Sequence, residues 1–206
     1  MKHHYAARTL ITLTVALFTL SCSQGGDSAG GSGGASSADV AAAQAAFDAS
    51  RADLRANGLG SLAEHIHPAE LEKFKEMLMP TFTTMLANPA AAQSPLFTTF
   101  REIDSTLDFA AMDPADFFGG FTTLLDQQMP QFGQALADMN ARVIGSVAEG
   151  DSLQHLMVRG TMTMMDQSAE QLEIVTLIRV DDGWKLGLPR EISGVANAIR
   201  QQLMGR

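Results

Sequence analysis

One pair of histidines has the spacing of metal ligands. His65 and His67 are separated by a single residue, and two such imidazoles can hold a metal ion on a strand or across a helix end. Glu64 and Glu70 stand nearby, but Pro68 interrupts any regular geometry between them. Because a stable site needs three or four ligands with supporting groups, we favour a solvated helix junction over a metal site.

Methionine is abundant, with 12 in the chain, and thioethers are ligands for Cu(I). Met162 and Met164 alternate in a predicted strand, while Met77 and Met79 fall in a predicted helix. No histidine or cysteine accompanies Met162 and Met164, and methionine fills irregular apolar cores well. We therefore expect core packing and no bound cofactor, with a periplasmic copper-binding protein as an alternative.

The paired carboxylates are explained by local structure. Asp113 and Asp116 fit a helix start, and Asp181 and Asp182 fit a turn. The sequence contains no nucleophile elbow, zinc-protease helix, phosphate-binding loop or dinucleotide fingerprint. We therefore predict no catalytic residues. An enzyme would have to use the remaining helix aspartates: Asp104, Asp108 and Asp126.

Residues 1–21 have the composition of a secretory signal peptide, with Lys2 and Arg8 before an apolar run. The run of about 11 residues is too short to span a membrane, which needs roughly 20. The only cysteine, Cys22, follows directly. The segment 19–22, Thr-Leu-Ser-Cys, resembles the lipobox of bacterial lipoproteins, although Thr19 replaces the usual leucine. The alternative is an ordinary secreted protein with an unpaired cysteine.

The lipoprotein resemblance implies that Cys22 is lipidated and becomes the first residue of the mature protein. Acyl chains on Cys22 would anchor the chain in a membrane. Ser23 follows, which implies the outer membrane, facing the periplasm, in a Gram-negative cell. Residues 22–38 are almost all Gly, Ser and Ala, so we expect a flexible tether there and a single folded domain over residues 39–206.

The C-terminal third predicts a four-stranded antiparallel sheet with one apolar face. Even positions of residues 155–164 and of residues 172–180 are mostly apolar, which is typical of half-buried strands. A three-residue loop ending in Gly183 would place Val180 opposite Trp184 on that face. The predicted inward side chains, none able to exchange a proton, include Val158, Met162, Met164, Ile174, Ile178 and Trp184.

The opposite face of the predicted third strand is mixed. Glu173 and Arg179 make it polar, whereas Val175 and Leu177 interrupt that polarity. We expect this face to point outward, where Val175 and Leu177 would permit a homodimer.

Capping residues and prolines place the helices. Helix starts are expected at Asp39, Ser61, Pro68, Ser94-Pro95, Asp113-Pro114 and Pro130, and a last helix carries Ile192, Val195 and Ile199. Pro80 should kink or restart the second helix. Gly119-Gly120 should break a later helix, as either a hinge or a close-packing point. The expected class is α+β, with N-terminal helices on one face of a curved four-stranded antiparallel sheet and a C-terminal helix.

These residues resemble the nuclear transport factor two-like superfamily in its bacterial lipoprotein branch. The matching segments are 71–74 (LEKF), Arg159 and Thr161 in the long strand, and 180–188 (VDDGWKLGL). The resemblance covers residues 39–206 and implies a cone with a cavity between sheet and helices, lined by the inward side chains above. Catalytic members carry acids, histidine, tyrosine or arginine inside the cone.

The formal net charge of −9 on 206 residues argues against nucleic acid, because phosphate binding needs a basic patch. We expect a lipid-anchored, non-enzymatic cell-envelope protein that binds an apolar small molecule or an envelope protein. A buried acid–base pair in an open pocket would contradict the non-enzymatic interpretation. The alternative is a small-molecule isomerase, dehydratase or hydrolase of the same superfamily.

Overall fold

The computed structural model of the chain describes residues 36–88, 97–164, 167–181 and 183–204, without the side chains of residues 162–168 and 202–204. The predicted signal peptide, Cys22, most of the linker and the predicted helix start at Ser94-Pro95 lie outside these residues. So do the side chains of Met162 and Met164.

Helices occupy most of the first two-thirds of the described chain, and one more follows the sheet. The helices are α1 (Ser37–Asn57), a 3-10 helix (Leu59–Glu64), α2 (Pro68–Leu86), α3 (Thr98–Ile103), α4 (Pro114–Gln128), α5 (Pro130–Asp138) and α6 (Arg190–Met204). The starts expected at Pro68, Asp113-Pro114 and Pro130 are confirmed. The first cap is Ser36 and not Asp39, since the Ser36 hydroxyl accepts the Asp39 N–H at 3.1 Å.

Two predicted helix ends do not occur: α2 does not restart at Pro80, and α4 is not broken at Gly119-Gly120. Pro80 lies inside α2, which continues to Leu86; burial of Leu78 and Phe82 on either side of Pro80 offsets the backbone hydrogen bond lost there. Helix α4 also runs through Gly120 without a break. A Cβ on Gly120 would lie 2.6 Å from Cε1 of Phe100, so this glycine is a close-packing point between α3 and α4.

A cluster of phenylalanine rings fills the helical side of the core. Phe82 packs edge-on against the rings of Phe97, Phe100, Phe109 and Phe117, with centroids 5.2–6.1 Å apart. Such edge-to-face contacts are the arrangement that aromatic quadrupoles prefer. This cluster fixes α2, α3 and α4 against one another.

The sheet is an antiparallel meander in the order β1-β2-β3-β4. Its strands are β1 (Asn140–Glu149), β2 (Leu153–Met164), β3 (Gln167–Val180) and β4 (Gly183–Leu186). A register shift between Val143 and Gly145 marks a bulge in β1. The predicted α+β class, with helices before and after a curved four-stranded antiparallel sheet, is confirmed.

The β3–β4 hairpin corrects the predicted orientation of β3. Val180 pairs with Gly183, and Arg179 pairs with Trp184, so the loop is one residue shorter than expected. Gly183 has φ +143°, which only glycine adopts readily, and it therefore opens β4. A register change of one residue turns every side chain of a strand to the other face.

The inner face of β3 consequently carries the odd positions. Leu177 lies opposite Gln154, and Val175 lies opposite Leu156. Leu177 is fully buried and Val175 packs against the core, whereas Ile174 is 52 % exposed. The prediction that Ile174 and Ile178 face inward is therefore wrong, and so is the proposed dimer surface at Val175 and Leu177.

Candidate functional site

A cavity of about 160 Å³ lies between α1, the inner face of β3 and the first turn of α6. Most of its wall is apolar. The apolar lining includes Phe47, Leu54, Leu62, Leu136, Leu188 and Ile192. A cavity of this volume is large enough for a molecule the size of benzene.

One end of the cavity carries four charged side chains. Arg51 comes from α1, Glu173 from β3, and Arg190 and Glu191 from the first turn of α6. Glu173 reaches the cavity because it lies opposite the buried Val158 on the inner face of the sheet. A mainly apolar pocket with a few convergent polar groups has the usual composition of a small-molecule site.

Arg51 is held rigidly, with 8 % of its surface exposed. Its Nη1 donates to the Leu136 carbonyl at 2.8 Å, and its Nη2 donates to the Met139 carbonyl at 2.7 Å. These carbonyls belong to the C-terminal end of α5, where unpaired carbonyl groups attract a cation. The buried Arg51 Nε has no hydrogen-bond partner in the described part of the chain.

The carboxyl groups of Glu173 and Glu191 lie within hydrogen-bonding reach of each other. Burial, followed by the charge of Glu191 and this hydrogen bond, raises the pKa of Glu173 to about 7. The positive charges of Arg190 and Arg51 lower the pKa of Glu173, but by less than burial and Glu191 raise it. Two carboxyls in contact cannot both ionise freely, so the pair retains a proton up to neutral pH and can donate or accept one there.

The cavity adjoins an uncovered edge of the sheet. Of β3, strand β4 covers only residues Leu177 to Val180, and the Gly187 N–H then donates to the Thr176 carbonyl at 2.7 Å. Before Thr176, β3 has no strand on that side within the described residues. The loop 187–189 and the start of α6 border the opening instead.

The structure places the predicted pocket residues in different parts of the sheet, and they do not form one pocket. Val158 is buried in the core but does not line the cavity, and Ile178 is half-buried on the outer face. Ile174 lies at the cavity edge although its side chain is on the outer face. Trp184 is inward as predicted, but it stacks against the Arg179 guanidinium, 4.7 Å from the ring centroid, at the far end of β3.

Both candidate metal-ligand histidines have local structural roles. His65 Nε2 lies 2.9 Å from a carboxylate oxygen of Asp53, and His67 Nδ1 accepts the Ala69 N–H at 3.1 Å to cap α2. The backbone around Ile66 pairs with Leu186 of β4. The junction therefore ties α2 to the sheet.

The helix aspartates proposed for an enzyme lie away from the cavity. The Asp108 carboxylate accepts the Ala110 N–H, and Asp104 accepts hydrogen bonds from Thr106. Burial raises the pKa of Asp126, which borders a separate cleft near Gly133. None of the three lines the cavity that holds Glu173.

Sequence reasoning missed Arg51, Glu173 and Glu191. Arg51 could have been found, because it shares a helical face with Phe47 and Leu54 at a spacing of three to four residues. A cation in an apolar stripe signals a buried partner. Glu173 was missed because the predicted hairpin loop is one residue too long, and that register places its side chain on the outer face of the sheet.

The outer face of the sheet carries exposed apolar side chains on β1 and β3. Val147 is 57 % exposed and Leu172 is 65 % exposed, and Ile174 stands beside Leu172 on the same face. Arg142 pairs with Arg159 at one end of this face.

Within the described ranges, no helix has the length and apolarity needed to cross a membrane. Over the same ranges, no three His, Cys, Asp or Glu side chains are grouped closely enough to hold a metal ion. Comparison with known protein families, curated proteins and solved structures finds no match to this chain.

Proposed function

We propose that this protein is a lipid-anchored cell-envelope protein whose folded domain binds a small, mainly apolar molecule. The observation that carries the proposal is the cavity between α1, β3 and α6, with its apolar wall and a single charged end. Such a site takes an apolar body into its wall and orients the ligand through its few polar groups.

The anchoring part of the proposal depends on the N-terminal sequence. The lipobox-like segment ending in Cys22 and the Gly/Ser-rich residues 22–38 support a tethered domain in the outer membrane, facing the periplasm. A curved sheet covered by helices on one face, with a cavity between the two, supports assignment to the nuclear transport factor two-like type.

A second candidate function is acid–base catalysis on the bound molecule. Glu173 and Glu191 form a proton-holding carboxyl pair in an open cavity, which is the feature that the non-enzymatic interpretation excluded. A group with a pKa near neutral pH is suited to general acid–base work. The restriction to a non-enzymatic role is therefore dropped, and an isomerase, dehydratase or hydrolase stands beside simple binding.

We also propose that the outer face of the sheet forms a homodimer. Leu172, Ile174 and Val147 supply exposed apolar surface. The pair Arg142 and Arg159 lies at one end of the face, and the other end of β1 carries Glu149. A two-fold arrangement that reverses the strands would bring these opposite charges together.

Native mass spectrometry of the full chain, solubilised from the cell envelope in mild detergent, tests the binding function. The expected spectrum contains the lipidated protein plus one co-purified small organic molecule. Metal analysis of the same sample separates this result from the copper alternative, which requires stoichiometric copper. A protein that carries neither an organic molecule nor a metal contradicts both the proposed binding function and the copper alternative.

A further inference from the structure

One buried donor at the charged end of the cavity lacks a hydrogen-bond acceptor. The Arg51 Nε–H is buried and unpaired within the described residues, and Arg51 itself is more than nine-tenths buried. Glu173, when it holds the proton of the carboxyl pair, donates it to the Glu191 carboxylate and carries no charge of its own. A buried donor without an acceptor is costly, so a ligand that supplies acceptor oxygens gains affinity there.

The charges at this end favour an anion. When Glu173 and Glu191 hold one proton between them, the two guanidinium groups of Arg51 and Arg190 and one remaining carboxylate leave one net positive charge. Arg51 is the buried member of this group, whereas Arg190 is exposed, and a singly charged anion beside Arg51 would balance the net charge.

We propose that the cavity selects a small, mainly apolar carboxylate, whose oxygens accept a hydrogen bond from Arg51 Nε and whose charge is balanced by the guanidinium groups of Arg51 and Arg190. This inference rests on the proposed binding function and names its ligand class. The apolar body of the acid occupies the wall formed by Phe47, Leu54 and Ile192. A single aromatic ring matches the volume of about 160 Å³.

The proposal makes binding dependent on pH. The groups that face Glu173 are Glu191 and Arg190 from α6 and Arg51 from α1, while the opposite residue on β2 is the apolar Val158. Ionisation of Glu173 adds a negative charge beside the ligand carboxylate and repels it. Binding of the carboxylate therefore takes up a proton and weakens as the pH rises through about 7.

Ligand-observed NMR titration with benzoate tests the inference. The protein is the full chain carrying Cys22→Ser, which keeps it out of the membrane, and benzyl alcohol and benzylamine serve as neutral and cationic probes of matched size. We expect benzoate to bind up to about tenfold more tightly near pH 6 than near pH 8, because Glu173 changes from mainly protonated to mainly ionised over that interval. Benzyl alcohol should show no such dependence, and benzylamine should bind more weakly than benzoate.

A pair of matched variants assigns the effect to one carboxyl. Glu173→Gln is neutral near pH 6 and near pH 8, so it should bind benzoate equally at both pH values. Glu170→Gln makes the same chemical change at an exposed position of β3 and should keep the pH dependence of the parent. Unchanged pH dependence in Glu173→Gln would overturn the inference.

The three probes separate failure of the inference from failure of the binding function. If benzyl alcohol binds and benzoate binds no better near pH 6 than near pH 8, the carboxylate inference is wrong and the binding cavity stands. If benzylamine binds more tightly as the pH rises, the carboxyl pair is a cation site and the inference is again wrong. If no probe binds, both proposals fail.

Discussion

Glu173 on β3 and Glu191 in the first turn of α6 present their carboxyl groups to each other at one end of the internal cavity. The sheet positions the first through its pairing with β2, and the helix start positions the second. Arg51 and Arg190 limit the repulsion between the two carboxyls without removing it. The fold therefore maintains an electrostatically costly pair, and natural proteins retain such costs mainly at functional sites.

The first prediction concerns the pH dependence of stability. The pKa of Glu173 is raised to about 7 from 4.5, so the folded protein binds a proton that the unfolded chain has released. Stability is unaffected by this group below about pH 4.5, and it falls as the pH rises through about 7. Glu173→Gln removes the free-energy cost of ionising Glu173 in the folded protein. It should raise the free energy of unfolding by about 1–2 kcal/mol near pH 8, allowing for partial solvent screening, and by much less near pH 5.

Urea denaturation of Glu173→Gln, Glu170→Gln and the parent at both pH values measures this difference. The exposed Glu170 variant should follow the parent curve. A gain for Glu173→Gln that is equal at the two pH values would show that the pair does not titrate in this range.

The second prediction concerns Gln154, a fully buried residue whose amide oxygen and nitrogen have no hydrogen-bond partner among the described residues. Gln154→Leu replaces this unpaired amide by an apolar group of similar size opposite Leu177. We expect the free energy of unfolding to rise by about 1 kcal/mol, since a buried unpaired polar group is costly. A loss of stability of similar size would indicate that the amide binds water in the adjoining cleft, beside Arg179 and Asp39.

The third prediction concerns the homodimer. Leu172 is the most exposed of the large apolar side chains on the outer face, so Leu172→Glu should disrupt an interface there without disturbing the core. Light scattering coupled to size-exclusion chromatography should report a dimer for the parent and a monomer for the variant. The matched change Met129→Glu, at an exposed residue between α4 and α5, should leave the mass of the dimer unchanged. Identical masses for the parent and Leu172→Glu would contradict the proposed interface.

The fourth prediction concerns the anchor. Cys22→Ser removes the thiol that the lipobox-like segment presents for acylation. We expect the full chain to move from the membrane pellet to the soluble periplasmic fraction and to lose incorporation of labelled fatty acid. Retention of the variant in the membrane would show that the attachment does not depend on Cys22.

Much of the fold could be predicted from the sequence, because local signals determine it. The Asp113 cap before Pro114 and the alternation that buries Leu156 and Val158 agree with the structure. The orientation of β3 could not be predicted in the same way. Both faces of β3 carry apolar residues, so only the register of the β3–β4 hairpin decides which face points inward. A loop one residue shorter than predicted exchanges the inner and outer faces of the strand.

The same error in the register of β3 explains why the candidate site could not be predicted. Alternation along β3 predicts that Glu173 faces solvent, because a polar residue on an alternating strand normally points outward. Its burial depends on groups distant in sequence, Arg51 in α1 and Glu191 in α6. Such long-range charge compensation leaves no local pattern, although Arg51 between Phe47 and Leu54 on one helical face was a usable signal.

The central claim is that the cavity beside Glu173 holds a small molecule, and a cavity-filling variant tests it most directly. Val175 lines the cavity and packs against the core, so Val175→Phe should fill part of the space with a ring. Native mass spectrometry of the two proteins, prepared side by side, should show the co-purified molecule on the parent and only the unliganded mass for Val175→Phe. Circular dichroism establishes that the variant is folded. Retention of the molecule by a folded Val175→Phe, or an unliganded mass for both proteins, would contradict the claim.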